Sequence, residues 1–133
     1  MTSGRRLAGQ PAGRALFWGM RLADLDPTLL RYETPGRWRQ LDAATAPETA
    51  DGLLLLCPTC WAAHGTDIGT HSILCWSPTV PSDQAPGPGR WTLHGADLDH
   101  LTLRGAGGSD SIHTPSGCGA HFYIRDGAVA RCP

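Results

Sequence analysis

The chain has 133 residues, 41% of them apolar, with 17 Gly and 11 Pro. That length fits one domain with a modest core, and backbone breakers at this density argue for short strands and turns over long helices. A formal net charge of −1 excludes a uniformly basic nucleic-acid binder, and no apolar run approaches the roughly 18–20 residues that cross a bilayer.

All eleven cations are Arg; Arg shares GC-rich codons with Ala, Gly and Pro, so this bias carries no function. The charge is uneven: residues 1–39 are basic and residues 40–133 acidic. Arg5 and Arg6 stand in tandem but lack the apolar stretch of an export signal. The expectation is a cytoplasmic protein with no membrane association. Five cysteines are an odd number and two form a close pair, which favours a metal over a disulfide framework.

Residues 1–19 are Gly- and Arg-rich, lack acids and show no periodicity. They are expected to be a disordered arm or a non-native extension, with Met20 as an alternative natural start and residues 20–133 as a single domain. Residues 20–33 suit a short helix or an extended arm, since Pro27 blocks a long helix. A strand is expected over 38–41 and a linking loop over 42–51. Leu53 to Leu56 reads as a buried strand ending at Cys57. No helix is expected after it, because the sequence following Cys60 lacks helical periodicity.

Further strands are expected over 71–76, 90–94, 98–103 and 111–113. Residues 77–89 carry four Pro and are expected to form an exposed loop. Near the C-terminus, Phe122 and Ile124 fall on one face of a strand and His121, Tyr123 and Arg125 on the other. Asp126-Gly127 is a hairpin signal, with 128–131 as the return strand. The fold class is mostly β: a small antiparallel sheet or half-open barrel with zinc-ribbon-like knuckles.

The chemistry concentrates in Cys57-Pro58-Thr59-Cys60 and Cys118-Gly119-Ala120-His121. A gap of two residues lets both side chains of each unit reach one ion from a tight knuckle, and Zn²⁺ favours four N/S donors in a tetrahedron. Pro58 pre-sets the first turn, and Gly119 permits a positive φ in the second. Cys57, Cys60, Cys118 and His121 are therefore the expected zinc ligands, with His64 and His71 as competitors for the fourth position. Cys75 reads as a core thiol and Cys132 as a free one. His94, His100 and His113 read as surface or cross-strand residues, and Trp61, Trp76 and Trp91 as packing.

Several pieces together resemble a known family. They are residues 20–27, the Cys57–Cys60 unit, Gly89-Arg90-Trp91, Leu101-Thr102-Leu103 and residues 117–127. The stretch 20–130 looks like domain-of-unknown-function family 6527, a small zinc-binding family of phages and bacterial mobile regions. Where its members often carry Pro-Ser-Ile, this chain has Asp110-Ser111-Ile112. The resemblance implies a small β-rich metal-binding domain with the same four ligands, and brings no activity.

Four functions compete. The favoured one is non-catalytic: a binding or assembly module for a protein partner, presenting the 77–89 loop and the Arg-rich arm. A nucleic-acid binder would draw on Arg5, Arg6, Arg14 and Arg21. A thiol redox enzyme would use Cys57 and Cys60. A zinc hydrolase or deaminase is disfavoured, because no His-Glu-x-x-His occurs and neither His64 nor His71 sits in a His-x-Glu; only Asp67 is available as a base.

Overall fold

The computed structural model describes residues 17–65, 68–85, 89–114 and 118–132. Arg5, Arg6, Arg14 and Asp67 lie outside them, as does the arm up to residue 16. Ten strands are present among the described residues: β1 (Phe17–Arg21), β2 (Thr28–Thr34), β3 (Arg37–Gln40), β4 (Gly52–Leu56), β5 (Ser72–Trp76), β6 (Trp91–His94), β7 (Thr102–Gly105), β8 (Ile112–His113), β9 (His121–Arg125) and β10 (Ala128–Arg131). One helix, α1 (Pro58–His64), follows β4.

The strands form three antiparallel sheets, ordered β1-β10-β9-β8, β3-β2-β4-β5 and β6-β7. They do not close into a barrel, so the mostly β reading holds in its open form. No helix among the described residues is long and apolar enough to cross a membrane.

The second sheet explains the unbroken Leu53–Leu56 run, because it is covered on both faces. Leu29, Leu53, Leu55, Ile73 and Cys75 point into the main core. Leu30 and Trp76 point the other way, against Val80 and Ala85, with Leu54 and Leu74 packed alongside. Phe122, Ile124 and Val129 of the first sheet close the main core and are fully buried.

Three expectations need adjustment. The 77–89 segment is a loop that is exposed over most of its described residues, but Val80 and Ala85 turn inward and are buried over Trp76. Arg90 holds the segment down, its guanidinium donating to the carbonyls of Val80 (2.6 Å), Ala85 (2.5 Å) and Gly89 (2.8 Å). Pro86 to Pro88 lie outside the described residues.

The strand expected over 98–103 starts only at Thr102, after a 3-10 turn over Leu98–His100. The Asp97 carboxylate accepts the His100 amide at 3.1 Å and so caps that turn, a local bond that competes with the sheet ladder. Finally, β1 begins at Phe17, three residues before the boundary expected at Met20, and Met20 is buried opposite Val129 of β10.

The β9–β10 turn is locked from outside. Gly127 adopts φ +75°, and a Cβ there would overlap the Asp99 carbonyl. The same carbonyl and that of Asp126 accept from the Arg21 guanidinium at 2.9 and 3.2 Å.

Candidate metal centre

Two of the sheets meet at a group of four donors. Cys57 lies one residue beyond β4 and forms the N-cap of α1, so Cys60 is in the first turn of that helix. The expectation of no helix here is corrected: Pro58 occupies the first turn, where its missing N–H is not needed, and Trp61-Ala62-Ala63 continue it.

The β4–β5 ladder, with Leu56 opposite Ser72, continues by one step to place His71 opposite Cys57. The Cys57 amide donates to the His71 carbonyl at 2.8 Å. Cys118 arrives from the other sheet, in the turn that leads into β9.

The Sγ atoms of Cys57, Cys60 and Cys118 and a ring nitrogen of His71 all lie within 4.8 Å of one another. Cys57 Sγ is 3.5 Å from Cys118 Sγ, and His71 Nε2 is 3.4 Å from Cys118 Sγ. A tetrahedron with Zn–S of about 2.3 Å and Zn–N of about 2.0 Å has S···S edges of about 3.8 Å and S···N edges of about 3.5 Å. These separations are close to such edges and far from the roughly 2.05 Å of a disulfide. The group is spaced to bind a metal ion.

The surroundings suit anionic sulfur on one side and resist it on the other. Backbone amides of Cys60 and Thr59 reach the Cys57 sulfur, and that of Ala120 reaches Cys118, the knuckle geometry in which N–H groups favour thiolate. Burial nevertheless pushes the Cys57 thiol up to about 12. The hydrogen bond from His71 brings Cys118 down to about 6, and the same bond raises His71. Burial thus favours the neutral Cys57 thiol, while the hydrogen bond between Cys118 and His71 favours the thiolate and the imidazolium of that pair. A divalent ion supplies the charge that ionises the buried thiol.

Spacing along the chain points to His121 for the fourth position, and the structure brings His71 there in its place. The reason is strand parity. Ala120 and Phe122 face the core, 1% and 0% exposed, so His121 between them faces outward and stacks on His113 with ring centroids 4.4 Å apart. Residues 71, 73 and 75 share the inward parity of 53, 55 and 57 across the ladder. His64 is exposed at the end of α1 and lies outside the group.

Cys75 is fully buried, which pushes its thiol up to about 12. Cys132 is half-buried and bonded to the Tyr123 hydroxyl. Among the described residues no other group of three or more His, Cys, Asp or Glu side chains is gathered this closely.

Comparison with protein-family models, with curated proteins and with solved structures gave no match.

Proposed function

We propose that this chain is a zinc-stapled β domain that serves as a binding or assembly module for a protein partner. The observation that carries the reading is the donor set: three cysteines and one histidine lie within 4.8 Å of one another, and four such donors on one zinc would fill its tetrahedron and leave no position for a reacting water. Zinc fits the mixture of thiolate and imidazole better than Mg²⁺ or Ca²⁺, which take oxygen donors. The ion would be held by Cys57, Cys60, His71 and Cys118, and its role would be to fasten the β4–β5 hairpin to the turn before β9.

Burial argues against thiol redox catalysis. A redox pair needs a first cysteine of lowered pKa, whereas Cys57 is driven in the opposite direction. The surface such a scaffold would offer is the outer strand of the second sheet, where all four residues of β3 are exposed and Trp38 is 42% open to solvent. The mobile-element origin expected from the sequence resemblance belongs to the same proposal, with no family-model match behind it.

The test is metal analysis of the purified chain, followed by replacement with Co²⁺. One equivalent with a four-coordinate, thiolate-rich spectrum is expected. A chain that purifies and melts identically with and without chelator would sink the reading.

A second reading is supported by the same strand. Arg37, Trp38 and Arg39 are consecutive and exposed, a combination that suits phosphate contact and base stacking. It differs from the arginines expected from sequence, of which Arg21 is occupied by internal carbonyls. Against it, Arg39 pairs with Glu33 at 3.2 Å and Arg31 with Asp51 at 3.5 Å. Binding of single-stranded DNA that falls steeply with salt and is lost in Trp38→Ala would favour it; no binding at low salt would remove it.

A further inference from the structure

We infer that the outer face of the first sheet carries a second, independent metal site, built by His113, His121 and Cys132 and suited to a divalent transition-metal ion. The three residues lie in one row across neighbouring strands. His113 of β8 is registered opposite His121 of β9. The β9–β10 ladder, with Phe122 opposite Arg131, continues to put Cys132 opposite His121 on its other side, where the Cys132 amide donates to the His121 carbonyl at 3.0 Å.

The ladder also fixes the kind of pairing. The Thr114 amide donates to the Ala120 carbonyl at 2.8 Å, so His113 and His121 form a non-hydrogen-bonded antiparallel pair. In that geometry the Cα atoms are about 4.5 Å apart and the side chains are closest. The rings accordingly stack with centroids 4.4 Å apart and an interplanar angle of 29°.

Two imidazoles held this close on neighbouring strands can reach one ion after ring rotation, and imidazole with thiolate suits Zn²⁺, Ni²⁺ or Cu²⁺. Binding asks only for side-chain rotation: the rings turn from stacking to pointing their nitrogens at a common ion, and the Cys132 thiol leaves the Tyr123 hydroxyl. His113 is exposed and both His121 and Cys132 are partly so, so the ion has access.

The Cys57 centre does not compete for these donors. Ala120 and Phe122 face the core, whereas His121 faces out. Thr114, the neighbour of His113, turns to the other side and reaches Cys118 Sγ at 3.8 Å. The same strand pair thus serves two sites from opposite faces. The inference stands apart from the zinc reading, since it uses none of its ligands.

The test is titration of the full-length chain, free of any affinity tag and loaded with one equivalent of zinc, with Ni²⁺ by calorimetry and absorbance. One equivalent of Ni²⁺ is expected to bind without zinc release, at least tenfold more weakly in His113→Ala and in His121→Ala, with zinc content and melting temperature retained in His113→Ala. A thiolate-to-nickel band is expected in the parent and absent in Cys132→Ser. No Ni²⁺ uptake by the parent, or unchanged affinity in His113→Ala, would overturn the site; a band that survives in Cys132→Ser would overturn the thiolate assignment.

Discussion

Cys57 and Cys118 are separated by 61 positions along the chain, yet their sulfurs stand 3.5 Å apart. One terminates β4 of the second sheet and the other precedes β9 of the first. An ion bound between them would close a long loop and join two sheets that also share the main core.

Breaking that joint should cost the fold heavily. Binding energies of structural zinc in small domains are on the order of 10 kcal/mol and appear directly as folding free energy. Cys60→Ala should therefore lower stability by about 3 kcal/mol or more, roughly 10 °C in melting temperature for a chain of this size. Excess chelator should reproduce the loss in the parent. Calorimetric melts with and without chelator check both, and an unaltered transition would contradict a structural role.

His71 and His121 should separate cleanly. His71→Ala removes a donor from the four-atom group and should weaken metal retention by at least tenfold, with a shift in the Co²⁺ spectrum. With one equivalent of Co²⁺, His121→Ala should leave that spectrum unchanged, because the ring faces away from the centre and against His113. The reverse result would restore the ligand set read from sequence.

Metal affinity should rise with pH. Ligands bind deprotonated, so every proton held by the metal-free site must be expelled. At neutral pH Cys57 holds its proton, being pushed up to about 12, and the His71 imidazolium is favoured by Cys118. Cys118 is ionised above about 6 and must also be deprotonated below it. Affinity should thus fall on acidification through neutrality and fall more steeply below pH 6. Competition against a chromophoric chelator over pH 5–8 measures the slope, and a flat profile would be inconsistent with thiolate ligation.

Thiol labelling should follow position. With one equivalent of metal at the Cys57 centre and none on the outer face, Cys132 should react first with an alkylating reagent, since the other half-buried thiol, Cys118, belongs to the donor group. After metal removal at neutral pH, Cys118 should join it, as the more exposed thiol and the one held lowest by His71. Cys75, fully buried, should react only on unfolding. Peptide mapping by mass spectrometry reads the order directly.

Arg90 should matter more than its place in a Pro- and Gly-rich segment suggests. Its guanidinium satisfies three carbonyls at once, and hydrogen bonds from a charged donor contribute about 1.5–3 kcal/mol. Arg90→Ala should cost about 2 kcal/mol and loosen the turn over Trp76, visible as a red shift in tryptophan emission. Lys should rescue little, because a single ammonium cannot span the three acceptors.

Local chemistry is legible in the amino-acid sequence alone. The Leu53–Leu56 run marks a buried strand, Asp126-Gly127 marks the last hairpin, and two cysteine knuckles mark three of the four donors gathered in the candidate metal centre. Each signal rests on neighbours within a few positions, where periodicity and turn stereochemistry act directly. The outward parity of His121 is also readable, from Phe122 and Ile124 as its apolar neighbours, and it argues against a place beside Cys57, Cys60 and Cys118.

The fourth donor, the burial of Val80 and Ala85 over Trp76 and the row formed by His113, His121 and Cys132 are decided only by tertiary structure. The first and the last depend on strand register, and one step of slip turns every side chain to the opposite face. Register between β4 and β5 is set by the packing of Leu53, Leu55, Ile73 and Cys75 into a shared core, a long-range condition that spacing along the chain does not encode.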